Sequence, residues 1–197
     1  MNKIIRHQHI PKTGSTSTRT FYENCIVYGY EQGQLTLNAD IPEEAVSFTI
    51  LRDPLDRFKS NIKYFCTRSK YTPNQVLDII FNKTFTAEEH TEALESNLLN
   101  DYPEMYVVFH SMSIFDPFLN VFDADKNLKA KHLINFNNMQ KELQQLLPEF
   151  DYSNYPNANK ITRKIPIELT PEQLEQYEHH FKEDILFYKQ TGFDKKL

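Results

Sequence analysis

Lys3-Ile4-Ile5-Arg6-His7-Gln8-His9-Ile10 runs directly into Pro11-Lys12-Thr13-Gly14-Ser15-Thr16-Ser17. A strand-like stretch leads into a turn of small residues carrying one lysine and several hydroxyls, and a helical pattern follows. This is the layout of a cradle for a phosphate-type anion. Main-chain N–H groups at a helix start point at the ligand, and the helix dipole adds partial positive charge. Gly14 lets the backbone come close. Lys12 supplies a full charge, and the hydroxyls of Thr13, Ser15, Thr16 and Ser17 supply further donors. The chain has only four glycines in 197 residues, so a glycine at this point is a scarce residue used where close approach is needed. The loop differs from the nucleotide-triphosphate loop G-x-x-x-x-G-K-[ST], whose lysine follows the second glycine. Here Lys12 precedes Gly14 and no glycine lies upstream. The shorter loop suits a small terminal group better than a triphosphate.

A second motif lies 40 positions after Lys12. Ala45-Val46-Ser47-Phe48-Thr49-Ile50-Leu51, rich in β-branched and aromatic residues, reads as a buried strand. It ends in Arg52-Asp53-Pro54-Leu55-Asp56-Arg57-Phe58-Lys59-Ser60. Pro54 suits a first helical position with Asp53 as N-cap. Arg52 at the strand end and Ser60 two turns into the helix are placed to close on one anion, and a planar guanidinium binds phosphate oxygens in pairs. On that helix Arg57, Ser60 and Tyr64 share a face.

Working outward, strands are expected near 3–10, 34–38, 45–51 and 131–136. Helices are expected near 15–28, 54–68, 73–82, 87–100 and 137–147, with a single closing helix from Glu172 to Gln190 capped by Thr170. Tyr106-Val107-Val108-Phe109 and the stretch from Phe115 to Phe122 read as aromatic and irregular. Alternating strands and helices imply an α/β, P-loop-like three-layer fold with a central parallel sheet flanked by helices. In such sheets ligands bind beyond the carboxyl ends of the strands. Both anion motifs begin at such ends. One domain over residues 1–197 is the expectation from length, with 68–125 as a helical or irregular acceptor-side insert.

Taken together, the two motifs resemble those of sulfotransferases that use 3'-phosphoadenylyl sulfate (PAPS). The similarity is to the carbohydrate sulfotransferases of the Golgi and their bacterial relatives. Pro11-Lys12-Thr13-Gly14-Ser15-Thr16-Ser17 is similar to their 5'-phosphosulfate loop, which is commonly preceded by His-Ile or His-Val, as at His9-Ile10. Arg52 to Ser60 is similar to their 3'-phosphate motif. More faintly, 131–143 resembles the family's late strand and helix, and Asn157-Ala158-Asn159-Lys160-Ile161-Thr162-Arg163-Lys164 its polar loop over the cofactor. The closing helix, with Tyr177, Phe181, Asp184, Leu186 and Phe187, resembles theirs. Residues 68–105 match no family feature.

The resemblance implies transfer of a sulfuryl group from PAPS to a hydroxyl of a carbohydrate or other small acceptor, by in-line displacement and without a metal. Lys12 is then the catalytic lysine at the leaving oxygen. Residues Pro11 to Ser17 hold the 5' end, Arg52 and Ser60 the 3'-phosphate, and Arg163 and Lys164 the covering loop. Many relatives place a histidine between the two motifs, in a Gly-His-Leu-Thr-like stretch. Here Gly33-Gln34-Leu35-Thr36 stands there, and the amide of Gln34 cannot take a proton. Glu31 and His110 are the candidate general bases, and the residues do not choose between them. His9 is expected to pack under the loop. A non-catalytic binder of adenosine 3',5'-bisphosphate (PAP) or another phosphorylated ligand, and a nucleotide or small-molecule kinase, are the other readings.

Composition bounds these readings. A net charge of −5 argues against nucleic acid as the main partner, and against a heavily sulfated acceptor. With 40% hydrophobic and 13% aromatic residues there is material for a core. No apolar run of about 18 residues and no charged-then-apolar leader is seen, so neither a membrane span nor a signal is expected. Cys25 and Cys66 read as thiols in helices rather than a disulfide, which fits a cytoplasmic setting. No metal-ligand spacing is present.

Overall fold

Ile5–Gln8 forms strand β1, and its four residues are all buried. In this computed structural model the described residues are 5–22, 27–28, 30–31, 34–35, 43–69, 71–86, 88–89, 103–156 and 165–194. The chain divides into two compact units, one of Met1–Arg52 with Ile114–Lys160, the other of Asp53–Ser113 with Ile161–Leu197.

The first unit is α/β. Its elements are β1, helix α1 (Ser15–Phe21), β2 (Val27–Tyr28), β3 (Tyr30–Glu31), β4 (Gln34–Leu35), β5 (Val46–Leu51) and β6 (His132–Asn135). A one-turn 3-10 helix (Phe136–Asn138) and helix α5 (Met139–Leu146) follow β6; α2 to α4 belong to the second unit. The sheet order is β2-β1-β5-β6 with every pairing parallel. Three of these strands have four or more residues, and β2 adds a two-residue edge. Register sets Gln8 opposite Thr49 and Leu51 opposite Asn135, so β1, β5 and β6 end side by side. β3 and β4 form a separate antiparallel pair.

Parallel strands covered on both faces are expected to be apolar throughout, and β5 nearly is. β1 is not. Ile5, Phe48, Ile50 and Ile134 join Tyr22, Leu143, Leu147 and Tyr152 in one core. Yet Arg6, Gln8, Ser47 and Thr49 are also buried, in register Arg6–Ser47 and Gln8–Thr49. Members of this second, polar set are hydrogen-bonded to one another and to the chain around them. Arg6 Nε donates to Gln8 Oε1 at 3.1 Å, Gln8 Nε2 to the Asn120 carbonyl at 2.6 Å, and Thr49 Oγ1 to the Gln8 carbonyl at 2.8 Å. Buried polar groups are tolerated when bonded in this way. The carboxylate of Glu142 accepts the Asn135 N–H at 2.8 Å, which ties the end of β6 to α5.

Helix α1 stops at Phe21, shorter than the sequence expectation of 15–28, and Val27–Tyr28 pairs with β1 instead. Cys25, Arg163 and Lys164 lie outside the described residues.

The second unit is helical: α2 (Pro54–Arg68), α3 (Pro73–Asn82), α4 (Pro103–Ser111), α6 (Pro171–His180) and α7 (Lys182–Thr191). Asp53 caps α2 through Asp56 N–H at 2.8 Å, with Pro54 in the first turn as expected. Thr72 and Thr170 make capping boxes with Gln75 and Gln173. Each such cap stabilises its helix by about 1 kcal/mol. Phe58, Ile62 and Phe65 recur at helical spacing on α2 and pack with Val76, Ile79, Ile80, Val107, Tyr177 and Phe181.

Two expectations are corrected here. Tyr106-Val107-Val108-Phe109 is helical, because packing of Val107 in this core outweighs its β preference. The closing helix is two helices. Phe181 (φ −106°, ψ 23°) ends α6 and opens α7, its ring against Phe58 and Tyr177. Burying such a ring is worth roughly 1.5–3 kcal/mol, against about 1 kcal/mol for one helical hydrogen bond. Among the described residues, no helix is long and apolar enough to cross a membrane.

Candidate functional site

The loop between β1 and α1 contains two left-handed residues, Lys12 (φ 67°) and Gly14 (φ 85°). Space is also tight at 14, where a Cβ would stand 3.3 Å from Met139 Sδ and 3.4 Å from Phe136 Cε2, and these side chains would give a little to admit it. Lysine at φ 67° is uncommon and costs the backbone about 1–2 kcal/mol. Thr13 is fully buried, and its Oγ1 donates to the Ile10 carbonyl at 2.7 Å, so its hydroxyl proton shapes the loop itself. Lys12 and Thr16 are half-buried, Pro11 and Ser17 buried. The side chain of Ser15 is outside the described set.

Gly14 is the N-cap of α1, and no side chain caps it. Its carbonyl accepts Thr18 N–H at 3.1 Å and Thr18 Oγ1 at 3.2 Å. The Tyr155 hydroxyl shares a hydrogen bond with Thr18 Oγ1 at 2.9 Å. Burial pushes the Tyr155 phenol up to about 12, which keeps it protonated at any ordinary pH.

Arg52, at the end of β5, reaches the same loop. Its Nη1 donates to the Lys12 carbonyl at 3.3 Å. Its guanidinium carbon lies 4.6 Å from the centre of the Phe136 ring. The adjacent ends of β1, β5 and β6 thus bring Lys12, Gly14, Arg52 and Phe136 together. No protein-family model, curated protein or solved structure matches the chain.

Behind the loop, His7 is buried against Phe48, the rings stacked at 5.0 Å. Burial first, then the neighbouring His9 and Arg6, lower its pKa to about 3, so it is a neutral core histidine. His9 is half-buried beside it, with ring centres 6.3 Å apart.

The remaining candidates lie on other elements. Glu31 pairs with Gln34 across the β3–β4 ladder, and its side chain is outside the described set. In the second unit Ser60 is half-buried on α2. His110, on α4, sets Nδ1 3.0 Å from the Tyr106 carbonyl. A carbonyl only accepts, so Nδ1 is the donor of this bond. Its ring is stacked on Tyr64 and edge-on to Tyr106. Arg57 is sequestered. It is 4% exposed, and its Nη2 bonds the Met112 carbonyl at 2.7 Å and Asp184 Oδ1 at 3.2 Å. Asp184 also accepts from Ser113 Oγ at 2.5 Å. Burial lowers the Arg57 pKa, and the Asp184 charge partly offsets this.

Sequence reasoning missed Phe136 and Tyr155 as parts of the loop's setting. The signal for Phe136 was its place just past a strand end, where ligands gather in parallel sheets.

Proposed function

We propose that the chain is a PAPS-dependent sulfotransferase of P-loop-like, three-layer type, acting on a hydroxyl of a carbohydrate or other small acceptor. The observation that carries this reading is the bond from Arg52 to the Lys12 carbonyl. Two motifs far apart in sequence converge at neighbouring strand ends, so one ligand can meet both, and PAPS carries an anionic group for each.

In the proposed reaction the acceptor oxygen attacks sulfur in line. The bond from sulfur to the 5'-phosphate oxygen breaks, and PAP leaves with the electron pair. The acceptor proton passes to a base, Glu31 or His110. Displacements of this type depend on positioning and charge stabilisation, by analogy with phosphoryl transfer. Lys12 neutralises charge growing on the leaving oxygen. Arg52 and Ser60 hold the 3'-phosphate, and Arg163 and Lys164 belong to the covering loop. PAPS is a substrate here, and no metal takes part in the scheme.

Gln34, standing where relatives carry a histidine, favours a second reading, a PAP-binding protein without turnover. Thermal shifts with PAP and with ATP, followed by transfer of labelled sulfate from PAPS to a sugar panel, decide the matter. Stabilisation by PAP alone is expected, by ligand linkage, together with transfer. PAP binding without transfer supports the binder, and stabilisation by ATP alone supports a kinase.

A further inference from the structure

One ring stands beside both anion motifs. Phe136 carries the Arg52 guanidinium on its face at 4.6 Å, and its Cε2 stands 3.4 Å from where a Gly14 side chain would begin. Its backbone is held in place. Phe136 opens the 3-10 turn after β6, whose Asn135 side chain accepts the Asn137 N–H at 2.9 Å. The Asn135 N–H is itself held by Glu142 at 2.8 Å.

A guanidinium drawn to a ring by cation–π attraction is held without using its N–H donors. With its carbon over Phe136 and Nη1 on the Lys12 carbonyl, Arg52 is held at two points before any ligand arrives. A preset fork loses less conformational entropy on binding than a mobile one. We propose that Phe136 is a positioning residue which fixes Arg52 for a second phosphate, and so sets the preference for a nucleotide bearing a 3'-phosphate over one with a 5' group alone. The proposal rests on the assignment of Arg52 to the 3'-phosphate.

The test is calorimetric titration of PAP and of 5'-AMP into the wild type, Phe136→Leu and Phe136→Tyr. Leucine keeps the apolar bulk and removes the π face; tyrosine keeps the face. Phe136→Leu is expected to weaken PAP about five- to tenfold while 5'-AMP changes by less than about twofold, a size set by cation–π energies. Phe136→Tyr is expected to retain the wild-type preference. Phe136→Met gives the same reading should the leucine variant not fold. Equal losses for both ligands would mean a merely structural ring, and no loss would mean an idle one; either overturns the proposal while leaving the role of Arg52 standing. A wild type that binds PAP no better than 5'-AMP removes the assignment of Arg52 and the proposal with it.

Discussion

Arg52 and Arg57 stand five positions apart in one motif, yet the two units use them in opposite ways. Arg52 follows a strand end, half-buried, with one N–H on the Lys12 carbonyl and its guanidinium carbon over an aromatic ring. Arg57 is sealed inside the helical unit with a carboxylate and a main-chain carbonyl. The lesson is that a motif arginine is assigned by what surrounds it. A guanidinium over a ring at a strand end is the one proposed to meet a ligand. One that is buried and ion-paired is a structural strut.

The sharpest way to break this comparison is to remove each arginine. Arg57→Ala leaves Asp184 buried without its countercharge, and a loss of about 3–5 kcal/mol is expected in urea unfolding. Arg52→Ala is expected to change stability by less than about 1 kcal/mol and to weaken PAP about tenfold or more. Similar stability losses from both would erase the distinction. Next in size, Lys12→Ala is expected to lower sulfuryl transfer by about 10²–10³-fold, as for loss of one group that stabilises charge in a transition state. Full activity in that variant would remove Lys12 from the mechanism.

Acid tests the sheet unit separately. The folded pKa of His7 is about 3, below the roughly 6.5 of an unfolded histidine. Between those values the unfolded chain takes up the proton first. Stability therefore falls as pH drops from about 6.5 towards about 3, by up to about 1.4 kcal/mol per pH unit for this group. Replacing His7 with leucine should flatten the slope between about pH 5 and 6.5, above the main carboxylate range. An unchanged slope would show that His7 is protonated in the folded chain. Smallest, Gly14→Ala is expected to lose about 1–2 kcal/mol through its left-handed backbone, read from the thermal midpoint.

The sequence is legible where signals are local. The β-branched run Val46–Leu51, the Asp53-Pro54 cap and the Thr170 cap are all visible within a few residues, and each is present. What escaped depends on distant partners. The burial of Arg57 is set by Asp184, 127 positions away. The break at Phe181 follows from its packing on Phe58, which no helical periodicity encodes. The helix Pro103–Ser111 hid because its Tyr-Val-Val-Phe core favours strands, and only Pro103 and Glu104 in its first turn spoke for a helix. Within the candidate site, Lys12 and Gly14 stand out from the loop pattern alone. Phe136 does not, since a ring's role beneath a guanidinium appears only once strands are neighbours.

Lys12 itself has a consequence for anyone engineering the chain. Its φ of 67° is a conformation that glycine or asparagine adopts at lower cost. A redesign guided by thermal stability alone would therefore exchange this lysine early and record the change as an improvement. The protein it produced would be firmer and would have lost the charge at the mouth of its loop, so robustness and chemistry compete for a single residue.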